Sequence, residues 1–286
     1  MTLIKSISGI RGTIGGAPGQ GLTPVDIVKF VSAFAQLIQE DNPGKHMKFV
    51  VGRDARISGR MVNNLVSGTL MGMGVDVIDA GLSTTPAIEM KVVFEKAQGG
   101  IILTASHNPG QWNALKLLNE KGEFINAEEG EKLLKMADDI NYQYAEADKL
   151  GSYTADNRAI DEHIQAILDL PLVDADLIRK RQFHVVIDCV NSTGGISLPP
   201  LLKALGVEKI TELYCEPSGM FPHNPEPLLE NLTEIAATVK RTGADIGFVV
   251  DPDVDRLAII TEDGDMFGEE YTLVAVADYI LQHKPG

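Results

Sequence analysis

Two stretches of the chain carry residues whose types and spacing could do chemistry. The first is Thr104-Ala105-Ser106-His107-Asn108-Pro109-Gly110, which follows the aliphatic run Ile101-Ile102-Leu103. A buried strand that breaks into small, polar and turn-forming residues sets a hydroxyl on a stiff loop, so Ser106 is a candidate nucleophile. His107 reads in two ways, as a side chain that fixes the loop by hydrogen bonding and as a proton carrier. Lys116 comes ten residues after Ser106. Lysines ordinarily lie on surfaces, but on a short return strand beside the loop this one could reach a reacting oxygen.

The second stretch is Asp251-Pro252-Asp253-Val254-Asp255-Arg256, directly after the apolar run 246–250. Three carboxylates at alternate positions project to one side of an extended chain and repel one another unless a cation holds them. Magnesium suits such a set, because it takes hard oxygen ligands and often completes its shell with phosphate and water. The plain alternative is an acidic surface turn. An EF-hand is excluded, since the loop lacks the glycine and distal glutamate of that motif.

Weaker signals accompany these. In Ser8-Gly9-Ile10-Arg11-Gly12, Arg11 between glycines could contact a phosphate, because bare backbone lets an anion approach. A solvent-facing arginine on a glycine turn explains it as well. Arg53 and Asp54 are expected to be structural, pairing within the fold. Asn191-Ser192-Thr193-Gly194-Gly195 after Asp188 reads either as a phosphate-type loop or as a helix cap. The segment 218–227 is a rigid proline-rich loop, and His46, His163, His184, His223 and His283 show no ligand or triad spacing.

The elements that must position these residues alternate. Thr23-Pro24-Val25-Asp26 opens a helix, with threonine as cap, proline in the first turn and an acidic residue at the positive end. A strand at 49–51, a helix over 58–73 and a strand at 75–78 follow, which implies an α/β layered domain with a mostly parallel sheet. The segment from Lys48, strand, Asp54, polar loop, helix, Gly74 and strand, is paraphrased from Phe183 by strand, Asp188, polar loop, helix, Gly206 and strand. The expectation is two similar three-layer α/β domains with mixed, mostly parallel sheets. The polar stretch 148–157 separates them, followed by a helix over 159–170.

Composition narrows the function classes. The 286 residues carry 25 basic and 40 acidic side chains, a formal net charge of -15, which argues against general nucleic-acid binding but leaves room for a local anion site. The acidic excess concentrates in 120–162. The start lacks a signal-peptide core and no run approaches a membrane span. Cys189 and Cys215 have no metal-type spacing and are expected to be buried thiols in a reducing cytoplasm.

Taken together and in order, Gly9-Ile10-Arg11-Gly12, Gly52-Arg53-Asp54, Thr104-Ala105-Ser106-His107-Asn108-Pro109, Lys116 and 251–256 resemble the α-D-phosphohexomutases, the phosphoglucomutase, phosphomannomutase and phosphoglucosamine mutase family. The resemblance covers essentially the whole chain. It implies an isomerase that moves phosphate between O1 and O6 of a hexose through phospho-Ser106 and a bisphosphorylated sugar. It implies one Mg²⁺ held by Asp251, Asp253 and Asp255 and completed by the Ser106 phosphate, with a glucose 1,6-bisphosphate-type activator. Arg11 and Arg256 would lie close to the phosphoserine, and Lys116 would assist proton transfer at the sugar hydroxyl. Adjacent Ser106 and His107 side chains tend to point apart, and a hydrolytic triad would need no metal, so phosphoryl transfer explains the serine better than acyl transfer.

The implied domains are 1–150 with the phosphoserine loop, 151–265 with the metal loop, and 266–286 as the start of a third, truncated one. Family members have four domains, and neither a Gly-Glu-x-Ser-Gly-His nor an Arg-x-Ser-Gly-Thr run occurs here. Pro252 and Ala114 stand where the family often has glycine. The expectation for this chain alone is therefore weak activity on a phosphorylated hexose. The rival readings are a non-catalytic fragment that binds metal or sugar phosphate, and an aspartyl phosphatase using Asp251. Sugar identity and oligomeric state are left open.

Overall fold

The computed structural model describes residues 2–6, 9–140 and 142–284, apart from the side chains of Glu269 and Glu270. Ser8 of the first glycine motif lies outside the described residues. The chain divides into two compact units between Ile160 and Asp161.

In the first unit, β1 (Leu3–Ser6), β2 (Gly9–Thr13), β3 (Met47–Arg53), β4 (Val75–Leu82), β5 (Gly99–Leu103), β6 (Trp112–Leu118) and β7 (Tyr153–Ala155) form one sheet in the order β1-β2-β6-β5-β3-β4-β7. The run β5-β3-β4-β7 is parallel, and β6, β2 and β1 add antiparallel neighbours. Helices α1 (Pro24–Asp41), α2 (Gly59–Gly72) and α4 (Ala127–Asp139) belong with the core of Phe30, Phe34, Phe49, Val66, Ile101 and Leu115. Helix α3 (Thr85–Phe94) closes the opposite face, its Ile88 and Val92 sharing a core with Val50, Ile102 and Leu118. Alternate strand residues thus feed opposite cores, as the pleat requires. Thr23 caps α1 in a capping box with Asp26, as its sequence predicts.

The second unit contains α5 (Ala159–Leu168, which starts just before the division), α6 (Ala175–Arg181), β8 (His184–Asp188), α7 (Gly194–Ala204), β9 (Lys209–Leu213), α8 (Thr233–Thr242), β10 (Ile246–Val250), β11 (Leu257–Thr261), β12 (Met266–Phe267) and α9 (Glu269–His283). Its sheet order is β12-β11-β10-β8-β9. Val186, Ile235, Val249 and Ile260 pack on the α8 face, and Ile187, Leu198, Leu202 and Val250 on the α7 face.

The repeat read in the sequence is a repeat of topology. The order β6-β5-β3-β4 in the first sheet matches β11-β10-β8-β9 in the second, with the same parallel and antiparallel neighbours. Each helix-to-strand return turns on a left-handed glycine, Gly74 (φ 76°) and Gly206 (φ 93°), where a side chain would be strained. Both sheets are mixed, with a larger antiparallel share than the alternating pattern alone implies.

Two boundaries differ from expectation. Residues 151–160, assigned to the second domain, include β7, which pairs with β4 in the first sheet. Asp76 Oδ1 accepts from Ser152 N (2.7 Å), and Tyr153 Oη donates to Asp79 Oδ2 (2.6 Å). That bond pushes the Tyr153 pKa up to about 12, with burial adding to it. Met266 and Phe267, assigned to a third domain, form β12 on the edge of the second sheet. Cys189 is buried as expected, whereas Cys215 is half-buried. No helix among the described residues is long and apolar enough to cross a membrane.

Candidate functional site

Each unit carries one candidate loop at the same topological place, after the strand that follows the second helix of the repeat. In the first unit it is the β5–β6 loop. Ser106 is half-buried and left-handed, with φ 50°. A conformation of that kind in a serine costs on the order of 1–3 kcal/mol and persists only where its surroundings impose it. Here they do. Ser106 N donates to Thr104 Oγ1 (2.9 Å), which in turn donates to Asp54 Oδ2 (2.7 Å). Asp54 also pairs with Arg56 Nε at 2.9 Å, and both side chains are fully buried. The Arg56 guanidinium donates to the carbonyls of Ser106, Asn108 (2.6 Å), Pro109 (2.7 Å) and Trp112 (3.1 Å). Asn108 Nδ2 closes the turn onto Ala105 O at 2.8 Å.

His107 Nδ1 lies 3.3 Å from Ser106 Oγ. The expectation that these adjacent side chains point apart does not hold, because the left-handed backbone at Ser106 curls the pair together. The contact serves either role considered for His107. Lys116 lies on β6 opposite Ile102, with its ammonium 5.7 Å from the Phe124 ring centroid, so it is half-buried rather than on the open surface. Arg11 on β2 faces Ala114 across the ladder, two residues from Lys116 on the same sheet face. Its Nε is buried and, among the described residues, makes no hydrogen bond. The fold thus brings Arg11 and Lys116 to one face of one sheet, beside the strand that ends in the Ser106 loop.

In the second unit the loop lies between β10 and β11. Asp251, Asp253 and Asp255 each offer an oxygen, all within 4.8 Å of one another, with Asp251 and Asp253 buried and Asp255 exposed. Asp251 Oδ1 accepts from the Asp255 and Arg256 amides (3.2 Å each), which turns the extended triplet of the sequence into a closed loop. Val254, at φ 63°, makes the left-handed step. Two buried carboxylates and a third beside them form an all-oxygen donor set that fits a hard divalent cation.

This loop too is held from the neighbouring strand end. Ser192 Oγ and Thr193 Oγ1 both donate to Pro252 O, at 2.6 and 2.8 Å. The hydroxyls of Ser192 and Thr193 thus tie this loop to the carboxylate loop, and Thr193 makes no side-chain capping bond to α7. Arg256 Nη1 sits 3.4 Å from Glu226. In the same proline-rich segment His223 Nε2 lies 3.1 Å from buried Asp188. Burial opposes a charge on His223, but the hydrogen bond and charge of Asp188 prevail and raise its pKa.

Sequence reasoning assigned Asp54 a structural role but missed Arg56, Thr104 and Ser192 as the groups that hold the two loops. The signal for Arg56 was an arginine two residues after a strand-terminal aspartate. Nothing local marks its carbonyl partners, which lie 50 to 56 positions away.

Comparison with known proteins finds matches over both units. The alpha/beta/alpha domain I of phosphoglucomutase/phosphomannomutase matches residues 3–143, and domain II matches residues 161–264. A phosphoglucomutase/phosphomannomutase of Thermococcus kodakarensis is 35% identical over 278 residues, which is 96% of this chain and 60% of that protein. A probable phosphoglucosamine mutase of Methanopyrus kandleri is 33% identical over 98% of this chain and 58% of its own length. The crystal structure of a phosphoglucomutase/phosphomannomutase family protein from Burkholderia thailandensis superposes with a TM-score of 0.83 at 28% identity, covering 99% of this chain and 61% of that one. The chain thus spans about three fifths of the length of the relatives it matches.

Proposed function

The chain belongs to the phosphoglucomutase/phosphomannomutase family, and on that premise we propose that Ser106 carries the phosphoryl group in an interconversion of hexose 1- and 6-phosphates. A sugar hydroxyl oxygen attacks phosphorus, the bond to Ser106 Oγ breaks, and the bisphosphorylated sugar returns its other phosphate to the serine. Such transfer needs positioning and charge stabilisation more than covalent chemistry. Arg11 and Arg256 offset charge on the phosphoryl oxygens. Lys116 serves the proton transfer at the sugar hydroxyl, with His107 beside Ser106 Oγ. Asp251, Asp253 and Asp255 would hold Mg²⁺, which supplies electrostatic stabilisation of the transferring group when bound. The domain assignment belongs to the same proposal, with the serine loop in the first, the carboxylate loop in the second and α9 opening a third.

The observation that carries this reading is the held, left-handed, half-buried Ser106 after the end of a buried strand. A serine kept in that conformation by a buried ion pair is built for a task. The test is incubation of the purified chain with glucose 1,6-bisphosphate and Mg²⁺, followed by intact mass and peptide mapping. One phosphate on Ser106, absent from Ser106→Ala, is the expected result. Phosphate found only on other residues would defeat the proposal.

A further inference from the structure

We propose that Arg56 is a positioning residue for phosphoryl transfer at Ser106, its buried guanidinium setting the orientation in which the serine hydroxyl is presented. The inference rests on the reading of Ser106 as the phosphoryl carrier. A guanidinium fully removed from water is costly unless its charge and donors are matched. Asp54 meets it through Nε, at 2.9 Å. Both terminal nitrogens go to the serine loop, Nη1 to the Pro109 and Trp112 carbonyls and Nη2 to those of Ser106 and Asn108.

The same aspartate reaches the other side of Ser106. Asp54 Oδ2 accepts from Thr104, whose oxygen accepts the Ser106 N–H. Ser106 is therefore gripped at its amide through Thr104 and at its carbonyl by Arg56, and these two grips impose the left-handed backbone (φ 50°). With the backbone fixed, the Cα–Cβ bond has one direction, and so the arc available to Oγ is fixed before any substrate arrives. Displacement at phosphorus depends steeply on such alignment. Arg56 acts through the loop and needs no contact with the phosphoryl group. Lysine cannot replace it, since a compact ammonium lacks the planar fork that reaches four carbonyls and a carboxylate together.

The experiment compares wild type with Arg56→Lys in the 286-residue chain. Phosphate uptake on Ser106 from glucose 1,6-bisphosphate with Mg²⁺ is followed by mass, at a temperature where circular dichroism shows both proteins folded. Arg56→Lys is expected to lower the maximal uptake rate at least about tenfold, with the bisphosphate concentration for half-maximal rate unchanged. Amide exchange in 106–112 should rise while β3 and β5 keep their protection. A purely structural role would lower the melting temperature and leave the rate per folded chain alone. Uptake within about threefold of wild type in folded Arg56→Lys therefore overturns the inference.

Should Arg56→Lys fail to fold, Thr104→Val cuts the amide-side grip at nearly constant volume. Slower uptake in it supports the inference, and uptake equal to wild type overturns it. Absence of phosphate from wild-type Ser106 overturns the phosphoserine reading and the inference with it. Normal uptake in wild type and variant alike overturns the inference alone.

Discussion

Asp253 is where a single side chain most directly tests the metal assignment. It is fully buried, and its carboxylate oxygens share a 4.8 Å cluster with those of Asp251 and Asp255. Like charges that close raise the free energy of the folded chain until a cation neutralises them. Asp253→Asn removes one ligand charge and one repulsion together. The expected outcome is Mg²⁺ affinity lowered at least about tenfold, on the scale of losing one ligand interaction. Without metal, the melting temperature should stay level or rise, because repulsion is relieved. With Mg²⁺, the variant should gain less thermal stability than wild type, since binding to the native state stabilises by mass action. Calorimetry that finds equal Mg²⁺ affinity in the two proteins would remove the carboxylates from the metal-binding role.

The two units use one device at the level of elements. In each, the loop after the first strand of the repeat holds the loop after the third. Arg56 does so through carbonyls of 106–112, and Ser192 and Thr193 do so through Pro252 O. A left-handed residue, Ser106 or Val254, sits in each held loop. The segment 218–231 adds a tie of its own, from His223 to Asp188 at the end of β8. Because the folded His223 pKa is raised, this tie contributes fully below the ordinary imidazole value and is lost as pH climbs through the folded value. Denaturant melts of wild type and His223→Gln should therefore differ more at about pH 5.5 than at about pH 9. A difference that is flat across that range would assign the tie no charge.

Strands and helices with a clear period were legible in the sequence. Ile246–Val250 and the Thr23 cap stand as read, because a buried strand and a capping box are local signals. The edge strand β7 was not, since its three residues are all exposed and leave no pattern. Nor was the pairing of His223 with Asp188, 35 positions apart, or the hold of Arg56 on the serine loop. Both arise only when the topology brings distant strand ends together.

At the scale of the molecule, each unit holds its own buried clusters on both faces of its own sheet. A polypeptide of these 286 residues should therefore fold in both units, visible as cooperative melting and protected sheet amides. Turnover is a separate matter. The aligned stretch is 60% of the Thermococcus relative and 58% of the Methanopyrus one, so about two fifths of each relative lies outside it. A hexose bisphosphate has two ends, and both must be held for one phosphate to leave the serine and the other to return to it. On the proposed reading, Arg11 and Lys116, on one face of the first sheet beside the Ser106 loop, would serve one end. Losing the grip on the far end spares the phosphoryl chemistry but forfeits alignment, which alone is worth many orders of magnitude in rate. The expected outcome for this polypeptide in a coupled glucose 1-phosphate to glucose 6-phosphate assay, with bisphosphate and Mg²⁺, is phosphate on Ser106 with turnover at least about a hundredfold below a full-length relative. Turnover in the ordinary enzyme range of about 1 to 1,000 per second would mean that these two units already grip both ends of the sugar.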